Sequence, residues 1–182
     1  VEMHCLLFHP GIGVGGGRHY LSAFPSTRDA ISRYDVVFLG DVGIGPDELT
    51  EEQAELLAGL VEQQASGLVF IAGQRGRIQS FIGSPLEDLL PVQLEPERPT
   101  GIPLQNETPF VLTELGKRHL LTRFDSDAEQ NGFLWERLPG FFWSSAVVKN
   151  RPGTEVLAVH GSIRNEYGRL PLLVTKNHGA GK

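Results

Sequence analysis

The chain has 182 residues, 40% hydrophobic and 21% charged, with a formal charge of −6. That length supports one domain, residues 1–182, with a core of its own, and the acidic balance argues against a nucleic-acid backbone as partner. No run approaches the roughly 18 apolar residues of a membrane span, and one cysteine, Cys5, excludes an internal disulfide framework or a multi-cysteine zinc site.

A single cysteine does not decide the compartment. The ends read as cut: Val1 falls inside an expected strand, and Asn177 to Lys182 resembles a hairpin turn lacking its second arm. The expectation is a soluble fragment of a longer protein that does not itself enter a membrane.

Met3 to Phe8 reads as a short apolar strand ended by Pro10. The glycine-rich run Gly11 to Gly17 follows. Gly11, Gly13 and Gly16 satisfy G-x-G-x-x-G, but a dinucleotide site also needs a helix whose N-terminus faces the pyrophosphate. Only Arg18 to Phe24 stand before Pro25, so no nucleotide cofactor is expected. The remaining readings are a surface loop, or an anion-binding nest formed by Gly15, Gly16, Gly17 and Arg18 with His19 beside it.

Ser26-Thr27-Arg28-Asp29 offers an N-cap for a short helix through Arg33. Val36 to Leu39 is a strand, and Gly40-Asp41 opens the loop at its carboxyl end, where clefts form in open parallel sheets. Asp41 is read either as a cleft acid or as a turn aspartate that satisfies backbone N–H groups. The next helix starts at Thr50, with Gln53 completing a capping box. Its apolar stripe is Ala54, Leu57, Leu60 and Val61, and Gly67 lies near its stop. Leu68 to Ala72 follows as an unbroken apolar strand, expected to be buried on both faces. Strand, helix, strand forms a βαβ unit with parallel strands and a right-handed crossover.

The strand ends in Gly73-Gln74-Arg75-Gly76, a tight turn of the kind that displays a nucleophile in many α/β enzymes. Neither Gln74 nor Arg75 attacks carbonyls. Ile78 to Ile82 and Ser84 to Leu90 are expected as short helices, the second with Ser84 as cap and Pro85 at its first position. Pro91 to Glu95 reads as extended, and the stretch holding Pro96, Pro99 and Pro103 reads as loop. Thr113 to Gly116 suggests a turn. The aromatic-rich segment Phe133, Trp135, Phe141, Phe142 and Trp143 reads as core or as cover for a sheet face. Thr154 to Val159 and Pro171 to Thr175 are two further strands joined by Gly161 to Arg169.

Other chemistries find little support. Cys5 lies within the first expected strand, where it would act as a small inert hydrophobe. The six histidines (His4, His9, His19, His119, His160, His178) form no H-E-x-x-H or H-x-H pair, so no metal is expected. Lys176 stands where a P-loop ending in Gly181-Lys182 needs glycine, and no G-x-S-x-G occurs. Asp125 with Asp127, and Glu87 with Asp88, read as solvated surface charges.

Tyr34 to Asp41, the capped helix and Gly67 to Gly76 together resemble the class I glutamine amidotransferase-like superfamily. The resemblance implies a flavodoxin-like three-layer sandwich around a mainly parallel central sheet. Active members carry a cysteine at the elbow in G-x-C-x-G, and a histidine–glutamate pair on a later loop. Here Gln74 stands at the elbow, and His160 and His178 are each followed by glycine. The resemblance therefore implies a non-catalytic branch, one found in large bacterial membrane-associated proteins. Its old cleft would be lined by Gly40, Asp41, Gly73, Gln74, Arg75 and Gly76, with Arg77 nearby. The implied role is ligand or partner binding, or scaffolding, with other domains of the parent chain, another protein or a second copy as partner. An alternative is a hydrolase or carbohydrate-related enzyme that uses Asp41 and His119 as acid and base.

Overall fold

The computed structural model describes residues 1–8 and 17–182. The best-formed part is the βαβ unit. Strand β1 (Val36–Gly40) pairs in parallel with β2 (Gly67–Ile71), Val36 against Gly67 through Gly40 against Ile71. A short helix, α1 (Arg28–Ile31), precedes β1; within the expected cap stretch it is Thr27 that caps it, and the helix ends at Ile31 rather than Arg33. The crossover helix α2 (Glu51–Gln64) carries the capping box: the Gln53 amide donates to Thr50 Oγ1 at 3.3 Å, and the Thr50 amide donates to Gln53 Oε1 at 3.1 Å. Each arm satisfies an amide that the first helical turn leaves without a carbonyl. The helix ends at Ala65 in the left-handed region, φ 57°. Ala54, Leu57, Leu60 and Val61 are all buried, so the helical stripe faces the core. Ile31, Leu39, Leu49, Ile78, Phe81, Leu86, Leu89, Leu90 and Leu94 complete that core.

The expected flavodoxin-like, mainly parallel central sheet is not found. Among the described residues the strands form four short sheets, and β1–β2 is the parallel pair among them. β3 (Val92–Leu94) pairs antiparallel with β7 (Val147–Asn150), and β4 (Ile102–Thr108) with β6 (Phe141–Ser144). β5 (Phe110–Leu112), β8 (Thr154–Asn165) and β9 (Gly168–Lys176) make an antiparallel three-stranded sheet. Parallel neighbours need a crossover of about a dozen residues or more. Only Glu166 and Tyr167 separate β8 from β9, so that pair closes as a hairpin. The partners β3 and β7, β4 and β6, and β5 and β8 lie far apart in the chain, and packing rather than a short connection sets their antiparallel pairing.

Several local expectations change with it. Residues 3–8 form no strand; Cys5 makes an isolated bridge to Tyr20 and is exposed rather than facing a sheet core. Strand β2 is not buried on both faces. Leu68 and Phe70 pack toward the core, whereas Phe38 (65% exposed), Ile71 (52%), Val36 and Val69 lie on the opposite, open side of the parallel pair. The expected helices near 78–82 and 84–90 are 3₁₀ turns, Arg77–Phe81 and Glu87–Leu89. The Pro-rich stretch contains β4, and the loop expected at 161–169 is the tip of a continuous hairpin. Asp127 is exposed, as expected of a surface charge, and also caps a helix, α3 (Ala128–Glu136), accepting from the Gln130 amide at 2.8 Å. At the C-terminus the turn bridging His178 and Gly181 returns to β2, whose Leu68 amide donates to the Lys182 carbonyl at 2.9 Å.

Candidate functional site

The carboxyl ends of β1 and β2 lie side by side, and the parallel ladder extends one step when the Asp41 amide donates to the Ile71 carbonyl at 2.9 Å. Asp41 then turns with φ 47°, a left-handed conformation that aspartate tolerates better than most residues. This turn swings its carboxylate across to the loop after β2. Oδ2 accepts from the Arg75 amide at 3.1 Å and from Arg75 Nε at 3.4 Å, and Oδ1 accepts from the Arg77 amide at 3.3 Å. Arg75 answers with Nη2 on the Asp41 carbonyl at 2.8 Å. Gly73 makes the approach sterically open, because a Cβ there would overlap the Asp41 side chain.

A second acid closes the other flank. Glu48 is almost enclosed, its side chain 9% exposed. Its Oε2 accepts from the Gly43 amide at 3.1 Å, and its Oε1 pairs with Arg77 Nε at 3.3 Å. Ser80 Oγ donates to the Arg77 carbonyl and accepts from the Ile44 amide, both at 2.8 Å. The result is a clasp in which two carboxylates hold two loops through charge-assisted hydrogen bonds. Sequence reasoning identified Asp41 and the arginines but missed Glu48 and Ser80, which stand in ordinary loop and turn positions with no motif to mark them.

The clasp limits what this end of the sheet does chemically. Both Asp41 oxygens accept hydrogen bonds from the loop, so the carboxylate anchors the turn. Gln74 and Arg75 are the central residues of a turn closed by the Gly76 amide on the Gly73 carbonyl at 3.1 Å. Gln74 is exposed, and the Arg75 and Arg77 side chains remain 40% and 50% exposed. A nucleophile elbow leads from its strand into a helix; this turn leads into a five-residue 3₁₀ segment. Substituting Asp41→Ala is expected to destabilise the fold by about 2 kcal/mol, since two backbone amides and a guanidinium lose a charged acceptor. Urea unfolding checks this, and a loss below about 0.5 kcal/mol would mean that the clasp is not a structural anchor.

Among the described residues no hydrogen bond or ion pair joins Asp41 to His119. His119 Nδ1 accepts from the Leu121 amide at 3.1 Å, and its Nε2 lies 3.8 Å from Glu155. Glu155 is itself engaged: hydrogen bonds from Lys182 and then Thr175 hold its carboxyl below the ordinary range, with His119 a smaller contributor. Of the anion-nest residues, Gly15 and Gly16 lie outside the described residues, as does the rest of the G-x-G-x-x-G pattern; Gly17 and Arg18 are exposed beside the N-terminal segment. His4 bonds Tyr34 Oη at 2.8 Å, and His178 pairs with Glu62 at 3.0 Å. Among the described residues, no group of three or more His, Cys, Asp or Glu side chains is placed to hold a metal ion, and no helix is long and apolar enough to cross a membrane.

The aromatic residues sort into a row that the sequence left undivided. Phe124 stacks on Trp135 at 5.1 Å, Phe110 stands 6.4 Å from Trp135 and 4.7 Å from Phe141, and Phe141 meets His160 edge-on at 5.3 Å. His160 is fully buried.

No family model matches the sequence, and no curated protein matches it. The fold is similar to that of a solved structure, the cytoplasmic protein STM3548 from Salmonella typhimurium, with a TM-score of 0.63. The likeness covers 88% of this chain and 65% of that one, so the chain spans about two thirds of the other's length, and at 17% identity it concerns the fold alone.

Proposed function

We propose that the chain is a non-catalytic, amidotransferase-like module that binds a ligand or partner, or serves as a scaffold within a larger protein. The observation that carries this reading is the state of the turn that follows β2. Gln74 occupies the turn where a thiolate would be needed, and the neighbouring acid, Asp41, is spent on holding the turn in place. What remains accessible there is a neutral amide and two guanidinium groups, which recognise and do not react. The open apolar side of β1 and β2 supports the scaffolding role, since Val36, Phe38, Val69 and Ile71 offer contact area to another domain of the parent chain, to a separate protein or to a second copy.

The test is direct. Incubated with glutamine, the purified chain is expected to release no ammonia above a buffer blank, and Arg75→Ala is expected to leave that result unchanged. Steady ammonia release that resists Cys5→Ser would overturn the non-catalytic reading.

A further inference from the structure

We propose that His160 is an acid-sensitive latch: protonation of its ring converts Nδ1 from an acceptor into a donor and releases the outer part of the β8–β9 hairpin. The argument begins with a defect in the ladder. Val159 pairs with Pro171, but the next register pair is Arg164 with Arg169. β8 therefore carries its residues 160–163 opposite Leu170 alone. Pro171 has no amide hydrogen, so the regular exchange of hydrogen bonds stops there. Backbone donors in the bulge need other acceptors, and a single side chain supplies them. His160 Nδ1 accepts from the Ser162 amide at 3.1 Å and from the Ile163 amide at 3.0 Å. Ser162 Oγ lies 3.4 Å from the same nitrogen.

Two N–H donors aimed at Nδ1 require its lone pair, which places the ring proton on Nε2. Nε2 has no hydrogen-bond partner among the described residues, and the ring is fully enclosed, edge-on to Phe141. A second proton has only Nδ1 to go to, where it would face two amide hydrogens. Nothing nearby compensates an imidazolium. The packed strands β5 (Phe110–Leu112) and β6 (Phe141–Ser144) carry no ionisable side chain. The charged groups on the surrounding elements are Glu107 of β4, engaged by the Gly140 amide, Glu155 at the far end of β8, Lys176 at the far end of β9, Lys149 of β7, Lys117 and Arg118 of the turn packed on β8, and Arg164 with Arg169, which oppose each other beyond the bulge; the bases among them would oppose, not compensate, an imidazolium.

Burial alone holds His160 below its ordinary 6.5. A histidine depressed in the folded state is fully stabilising above its unfolded value. That contribution is lost as pH falls below 6.5, because the opened segment then binds the proton that the closed one refuses. The segment released is defined by its anchors on β7: Asn165 Nδ2 donates to the Val148 carbonyl at 2.6 Å, and Lys149 Nζ lies 4.7 Å above the Tyr167 ring.

Amide hydrogen exchange on the whole chain, corrected for intrinsic rates, tests the latch. The protection factors of Ser162 and Ile163 are expected to fall by up to about tenfold per pH unit below 6.5, while those of α2 stay level. In His160→Asn, whose Oδ1 keeps an acceptor near the Nδ1 position but does not titrate, protection is expected to be independent of pH. The same fall in His160→Asn would overturn the proposal. Should that variant fail to fold, nitrogen-detected titration of the wild-type ring decides. A ring kept in the Nε2–H form down to the pH at which both amides lose protection supports the latch. A ring that titrates near 6.5 with both amides still protected overturns it.

Discussion

Phe81→Ala is expected to cost about 3–5 kcal/mol, a large share of the 5–15 kcal/mol that a domain of this size possesses. Phe81 is fully buried and packs against Phe70 with ring centroids 5.5 Å apart. It ends the 3₁₀ turn that begins at Arg77, so the ring fastens to the core the same segment that the clasp fastens to Asp41 and Glu48. Truncation would leave a cavity against β2 and loosen the clasp from below. Urea unfolding should show a lower midpoint with an unchanged slope. Combined with Asp41→Ala the effects should not add, because both substitutions act on one loop. A measured loss under about 1 kcal/mol would mean that the space refills and that the turn does not depend on its ring.

Gly116→Ala is the second, with an expected cost above about 3 kcal/mol. Gly116 is buried where a 3₁₀ turn is sewn onto β8. The Thr113 amide donates to the Leu157 carbonyl at 3.0 Å, Thr113 Oγ1 donates to the Val156 carbonyl at 2.7 Å, and the Gly116 amide donates to Thr113 Oγ1 at 2.9 Å. Thr122 Oγ1 returns a hydrogen bond to the Gly116 carbonyl. A Cβ at 116 would overlap the Leu157 carbonyl oxygen, which is backbone of the central strand of the three-stranded sheet and has no rotamer by which to yield. Either the turn lifts and the Thr113 hydrogen bonds break, or β8 bends. Thermal unfolding should report the loss together with early proteolysis near residues 113–122. A melting temperature within a degree or two of wild type would show that the turn can slide without penalty.

Both substitutions mark where legibility in the sequence ended. The stripe Ala54, Leu57, Leu60, Val61 and the Thr50–Gln53 box were readable because helix periodicity and capping depend on residues three and four apart. The parallel pairing of β1 and β2 followed from the helix between them. The loop glycines and Asp41 were readable as the carboxyl end of that pair. Gly116 was readable as a turn, but its close approach to Leu157 was not, since the two residues are distant in the chain.

The site divided along the same line. The absence of a nucleophile at Gln74 was a matter of residue identity, and the sequence settled it. Whether Asp41 was a free acid or an anchor depended on where Arg75 and Arg77 placed their amides, and only the folded loops decided that. Local physics, namely helix periodicity, capping and one crossover, was determined by sequence alone. The pairing of β4 with β6 and β5 with β8, the open apolar side of β2, and the burial of His160 in the bulge beside the Val159–Pro171 pair were decided by tertiary structure. Strand partners are chosen by packing and chain reach across long separations, and an apolar run such as Leu68 to Ala72 carries no local mark of whether one face or two will be covered.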